Sequence, residues 1–206
     1  MTQLVLVRHG ETVWHEENRY AGSSDVELTE RGLEQARWLA EWAKSAQLAD
    51  IWCSPLRRAE HTARESVSVT GLAARVDARL REVSFGEAEG LTVAEMHDRF
   101  PDALAAFQRD PIAGRLPGGE PPQVAARRFV ACLDEIVAEH PEGQVLVVAH
   151  STAIRLALCT LINVPLRRYR TLFPFVRNCG VTEVRYHGAG EAGDAAIMEF
   201  NTPVGP

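Results

Sequence analysis

The sequence predicts an α/β fold, a three-layer sandwich in which helices cover both faces of a mostly parallel sheet. Three observations predict it. Gln3–Val7 and Gln144–Ala149 are near-continuous apolar runs with VLV and VLVV cores, as expected of strands buried on both faces. Helical periodicity fills the stretches between such runs, and strands alternating with helices imply right-handed βαβ crossovers. After Pro165 the pattern changes, and two strand-like runs flank a Gly-rich turn.

The elements follow in order. Gln3–Val7 is the first strand. Thr29 is a suitable N-cap for a helix over Glu30–Lys44, where Leu33, Ala36, Leu39, Ala40 and Ala43 recur at helical spacing. Ile51–Cys53 is a second strand, and Pro55 can open a second helix that runs to about Val69. Ala74–Val76 makes a third strand. Phe85–Pro122, rich in Gly and Pro, reads as an excursion over the end of the sheet, with short helical pieces at Thr92–Phe100 and Asp102–Gln108. Gln123–Glu139 places Phe129, Leu133, Ile136 and Val137 on one helical face. The strand Gln144–Ala149 and a helix over Ala153–Leu161 follow. Val181–Tyr186 and Ala195–Phe200 form a hairpin at an edge of the sheet. Without repeats or a low-complexity linker, residues 1–206 read as a single domain.

Composition narrows the function. The chain is 46% hydrophobic and 24% charged, ordinary for a globular protein and unlike a disordered one. Its net charge is −6, with Lys and Arg spread along the chain, which argues against a nucleic-acid partner. No apolar run approaches the ~18 residues of a membrane span. Met1 leads directly into a strand-like run, so the expectation is a cytoplasmic protein without a signal peptide. Cys53, Cys132, Cys159 and Cys179 are widely spaced within or beside apolar runs; they read as reduced core residues, not as a metal site.

Two motifs mislead. Gly188–Gly193 matches GxGxxG, but the next run is strand-like, and no helix is there to receive a pyrophosphate. Val147–Ala153 has the strand–Ser–helix form of a serine-hydrolase elbow around Ser151. The tight-turn glycines are alanines there, and no acid and histidine follow the serine in the required order.

Four elements carry more promising chemistry. Each follows a predicted strand: Arg8-His9-Gly10-Glu11, Ser54 to Arg58, Arg81-Glu82, and His150-Ser151. Ligands of open parallel sheets bind beyond the carboxyl ends of the strands, so these segments converge on one crevice. Two histidines, two or three arginines and a glutamate there suit an anion, most simply a phosphoryl group, whose oxygens match guanidinium forks. By contrast, His61, His97, His140 and His187 read as structural or solvated. Asp25 and Glu27 read as turn and capping residues beside Thr29, and Trp14, Trp38, Trp42 and Trp52 as packing.

VRHGET at Val7–Thr12 resembles the signature of the histidine phosphatases, the phosphoglycerate mutase-like superfamily. The resemblance continues through Asn18-Arg19, Gly22, Asp25, Leu28-Thr29 and Gly32, then Ser54–Ala63, Leu80–Gly90, Pro117–Glu120 and Val147–Arg155. It spans nearly the whole chain in order. It implies that His9 is a nucleophile forming a phosphohistidine and that Glu82 is the proton donor and acceptor. Arg8, Arg58, His150, His15 and Ser151 would hold the phosphoryl group, with Gly22 in a substrate loop, and backbone N–H groups near Ser151 would add donors. No metal and no cofactor are implied. The partner is a small phosphorylated metabolite, and relatives commonly form homodimers, though no stretch of this sequence marks an interface.

Three departures from the family pattern stand out. His15 replaces the usual Asn, and as a histidine could still donate to the phosphoryl group. Ser151 replaces the Gly after the second histidine. Ala88 replaces an aromatic, which would open the substrate pocket. With 206 residues the chain resembles the shorter phosphatase branch, since a mutase needs a lid that excludes water. The mutase is the alternative, and a serine hydrolase or a non-catalytic binding module are remote ones. Arg99, Arg109 and Arg115 in the excursion could suit a second anionic group of the substrate, or be simply solvated.

Overall fold

The computed structural model describes residues 1–188 and 195–206. The elements are β1 (Thr2–Arg8), α1 (Glu30–Ala43), β2 (Leu48–Cys53), α2 (Arg57–Thr70), β3 (Ala74–Val76), α3 (Val93–Arg99), α4 (Pro101–Arg109), α5 (Pro122–Glu139), β4 (Gly143–Ala149), α6 (Ser151–Leu161), α7 (Tyr169–Leu172), β5 (Val181–Tyr186) and β6 (Ala195–Thr202). They form one six-stranded sheet in the order β3-β2-β4-β1-β5-β6. Strands β1 to β4 are parallel, and β5 and β6 run antiparallel at one edge. This is the α/β three-layer sandwich the sequence predicts. The edge hairpin is present too, although the turn bearing most of the GxGxxG match lies outside the described residues.

Each face of the sheet carries its own core. Leu4, Leu6, Val145 and Val147 meet Phe129, Leu133 and Ile136 of α5 and Ile154 and Leu158 of α6 on one side. Val5, Val7, Leu146 and Val148 meet Leu39 of α1 and Ala59 and Ala63 of α2 on the other. The alternation of β1 and β4 residues between the two clusters explains why both strands read as continuous apolar runs. None of the described helices is long and apolar enough to cross a membrane. All four cysteines are free and buried.

Helix ends follow local chemistry. Thr29 caps α1 by accepting from the Gly32 N–H at 3.0 Å, as its place predicts. Asp25 and Glu27 do not serve α1; they belong to α2, where Asp25 accepts from the Arg57 N–H at 2.9 Å and Glu27 pairs with the Arg57 guanidinium at 2.7 Å. The excursion has a small core of its own, in which Ala88, Met96, Leu104, Phe107 and Leu116 are buried. Ala88 is fully enclosed there and does not line the cavity at the strand ends that holds His9 and Arg58, so its small size does not widen that pocket as expected.

Candidate active site

The sheet register sets the site. Arg8 pairs with Ala149, and Cys53 with Val148, so β1, β2 and β4 end at nearly the same level. The His9 N–H donates to Ala149 O and the Ser54 N–H to Val148 O, each at 3.0 Å, which extends the ladder by one residue into the site. His9, Ser54 and His150 therefore emerge side by side. The His9 and His150 rings lie 5.2 Å apart. Arg8, His9, His15, Gly22, Arg58, Glu82 and Ser151 all line one cavity of about 400 Å³. His150 lies buried behind it, in contact with His9.

His9 Nδ1 faces the Gly10 carbonyl at 2.7 Å. A carbonyl only accepts, so the ring proton sits on Nδ1 and Nε2 keeps its lone pair. Arg58 Nε donates to that Nε2 at 3.2 Å, and its Nη1 and Nη2 donate to Ser24 O at 2.6 Å and Gly22 O at 2.7 Å. Gly22 adopts φ +49°, and a Cβ there would lie 2.3 Å from the Glu89 carboxylate, so a glycine is required for this hold on Arg58. Burial first, then the positive charges of Arg58 and Arg8 and the nearby His150, hold the His9 pKa well below the ordinary histidine value. His9 is thus a neutral imidazole whose unprotonated Nε2 faces Arg58.

Arg8 is half-buried, and desolvation lowers its pKa to about 10 while leaving it charged at neutral pH. Its Nη1 donates to Val176 O at 2.8 Å, and its Nη2 to His15 Nε2 at 2.6 Å, while Nε has no protein partner among the described residues. A guanidinium only donates, so Arg8 holds His15 through Nε2, while His15 Nδ1 is engaged by Thr12, whose N–H lies 3.0 Å away and whose Oγ1 lies 2.8 Å away. Burial, then Arg8, lower the His15 pKa to about 4. Both ring nitrogens of His15 are thus taken up by protein groups, with neither left for a ligand. It holds Arg8, contrary to the donor role expected of it.

Glu82 lies at the N-terminus of α6. Its Oε2 accepts from the Thr152 N–H at 2.9 Å, and its Oε1 from the Ala153 N–H at 2.9 Å and the Val83 N–H at 2.8 Å. The helix-terminal donors expected to face a phosphoryl group are thus largely occupied by this carboxyl. Arg128 braces the same loop, donating to the Arg79, Arg81 and Glu82 carbonyls and pairing with Glu120 at 2.8 Å. Glu120 of the PGGE segment is accordingly a support for the Glu82 loop. His150 Nε2 meets Ser54 Oγ at 2.7 Å, and its Nδ1 has no partner among the described residues. Burial, then Arg58, keep His150 neutral.

Ser151 lines the cavity without a triad. His187 follows β5, whose Tyr186 pairs with Thr2 at the start of β1, so it lies at the opposite end of the sheet from Ser151. The Gly10 and Glu11 of the first motif are structural. A Cβ on Gly10 would meet Gly32 O at 2.5 Å, and Glu11 Oε1 accepts from Thr29 Oγ1 at 2.8 Å, so they dock the loop onto α1. Arg99, Arg109 and Arg115 do not line the cavity. Arg155, Tyr169 and Arg170 do, none of them singled out from the sequence as a site residue. Arg155 had a legible signal, one helical turn after Ser151. Asn178, which donates to His9 O at 2.8 Å, had none.

The model of the histidine phosphatase superfamily (branch 1) matches residues 4–195. The chain belongs to the histidine phosphatase superfamily. Among its relatives, it is 35% identical over 201 residues to the probable phosphoglycerate mutase GpmB of Enterobacter sp., covering 97% of this chain and 92% of that one. It is 32% identical over 169 residues to phosphoserine phosphatase 1 of Hydrogenobacter thermophilus, covering 82% of this chain and 80% of that one. The solved structure of a mycobacterial glucosyl-3-phosphoglycerate phosphatase with VO3 superposes with a TM-score of 0.88 at 33% identity, over 97% of this chain and 99% of that one. Membership in the histidine phosphatases makes the general activity that of a phosphohistidine-type hydrolase or mutase on small phosphorylated metabolites.

Proposed function

We propose that this histidine phosphatase is a metal-independent phosphomonoesterase that hydrolyses a small phosphorylated metabolite through a phosphohistidine. The observation that carries this reading is the neutral His9, with the lone pair of Nε2 in a cavity shared with Arg8, Arg58 and Glu82. His9 Nε2 attacks phosphorus, the ester P–O bond breaks, and a proton from Glu82 passes to the leaving oxygen. Water then attacks the phosphohistidine, its proton goes to Glu82, and the P–N bond breaks to free phosphate and His9. Arg8 and Arg58 balance the charge of the phosphoryl oxygens throughout, the work a metal ion does elsewhere. Ser54 Oγ accepts from the Leu56 N–H at 3.3 Å, so its own proton can go to His150 Nε2, leaving Nδ1–H as a further donor to the phosphoryl group. Ser151 contributes to the wall on the same side.

Hydrolysis is favoured over transfer by the rim of the cavity. Asn18 and Val93 line it and are exposed, so water has a path to the phosphohistidine. The relative named as a probable mutase keeps isomerisation as the second reading. The test is phosphate release from a panel of phosphomonoesters in EDTA, beside interconversion of 3- and 2-phosphoglycerate. Release in EDTA is expected, with His9→Ala lowering kcat by roughly 10⁴-fold or more. Interconversion without release would make the chain a mutase, and full turnover by His9→Ala would overturn the covalent route.

A further inference from the structure

The cavity holds more positive charge than a phosphoryl group needs. Beyond Arg8 and Arg58 it is lined by Arg155 of α6 and Arg170 of α7. Neither has a carboxylate partner among the described residues, whereas Arg19 on the same wall is paired with Glu17 and Glu95 at 2.8 and 2.7 Å. Arg155 donates from Nε to Ser151 O at 3.1 Å and from Nη1 to Phe173 O at 3.3 Å. Arg170 donates from Nε to the Tyr169 hydroxyl at 3.0 Å and from Nη1 to Phe107 O at 3.3 Å. In each, Nη2 has no protein partner among the described residues, and it is not one of the buried unpartnered atoms.

Both guanidiniums are held in place by aromatic rings. Arg155 lies 4.9 Å from the Tyr169 ring centroid, and Arg170 lies 4.5 Å from that of Phe107. Two half-buried arginines gathered over the one Tyr169 ring at 4.9 and 5.5 Å, fixed at their stems and with one nitrogen each left over, are costly without an anion between them. Arg155 follows His150 and Ser151 on the first turns of α6 and bonds back to Ser151 O, which ties it to the phosphoryl end of the cavity. Arg170 of α7 lies beside it over the same Tyr169 ring, 5.5 Å from the centroid.

We propose that Arg155 and Arg170 form a second anion subsite, so that the preferred substrate is a phosphomonoester whose alcohol carries another anionic group, a carboxylate or a second phosphate. The inference deepens the phosphatase reading and rests on it for the position of the phosphoryl group. Tyr20, Phe85 and Phe107, whose rings pack edge to face at 5.0 to 6.3 Å, wall the space between and favour a short carbon skeleton.

The test is calorimetric binding in a His9→Ala background, where ligands are not turned over. 3-Phosphoglycerate is compared with glycerol 3-phosphate, which replaces the carboxylate by a hydroxymethyl group, and 1,3-propanediol bisphosphate with propyl phosphate. At least a tenfold preference for the member of one pair that carries the second anionic group is expected, and the pair that shows it tells carboxylate from phosphate. Adding Arg170→Met should cut that preference to threefold or less, with Arg170→Lys retaining part of it. Arg155→Met is measured alongside; should it fail to fold through loss of its bonds to Ser151 and Phe173, Arg170→Met decides alone. Equal affinities within both pairs, or a preference that survives Arg170→Met, would overturn the subsite. An arginine-dependent preference in a chain that releases no phosphate would leave the subsite standing and remove the hydrolase.

Discussion

His9, His15 and His150 are each held neutral, by burial first and by arginine charge second, and this fixes the sign of two pH effects. Folded, these groups bind protons less readily than at the ordinary value of 6.5, so below that value the unfolded chain takes up more protons. Their contribution to stability is full above 6.5 and is lost as pH falls toward about 4, the value for His15. The urea midpoint should be lower at pH 5 than at pH 7; a midpoint that rose on acidification would contradict the buried neutral state. For turnover, kcat/KM should show no acid limb near 6.5, because His9 is already deprotonated there. His15 acts through Arg8. His15→Leu removes the acceptor for Arg8 Nη2 and should lower kcat/KM by roughly tenfold, the worth of a hydrogen bond to a charged group. His15→Asn, whose carbonyl can accept the same bond, should recover most of it. If Leu and Asn variants behave alike, His15 does not position Arg8.

The loop after β1 and the start of α1 depend on two glycines facing each other. A Cβ on Gly32 would lie 2.1 Å from Glu11 O, and the clash is with backbone, which cannot rotate away. Gly32→Ala should therefore destabilise the protein by about 2 kcal/mol, lowering Tm by roughly 4–8 °C at this chain length. An unchanged Tm would show that the junction relaxes freely. This junction also shows what was legible beforehand. Strand ends, the capping Thr29 and the segments bearing His9, Arg58, Glu82 and His150 could be read from apolar runs and spacing, because local chemistry specifies them. What Glu82 does with the first turn of α6 could not, since the same two N–H groups suit either a ligand or a carboxylate, and only the packed geometry decides. Arg170 was illegible for a similar reason: α7 has four residues, and tertiary contacts alone bring it to the cavity.

Across the whole molecule, two cores flank the sheet and a third lies under the excursion, which raises the question of how many units unfold. The excursion has its own buried cluster but is not detached. Phe85 packs against both that cluster and the α5–α6 core, and the Arg128–Glu120 pair at 2.8 Å ties its return to α5. Gly86 adopts φ +58°, and a Cβ there would meet Pro117 O at 2.2 Å, so the two ends of the excursion close on each other directly beside the Glu82 loop. Opening the excursion would strip Glu82 of its brace and expose Phe85 at the same time. We therefore expect one cooperative urea transition, with fluorescence and circular dichroism coincident. Phe129→Ala in the central core and Leu104→Ala in the excursion should both move that single midpoint, by about 3–5 and 2–5 kcal/mol respectively. A separate early transition in Leu104→Ala would make the excursion an independent folding unit, and the site would then be gated by its local stability.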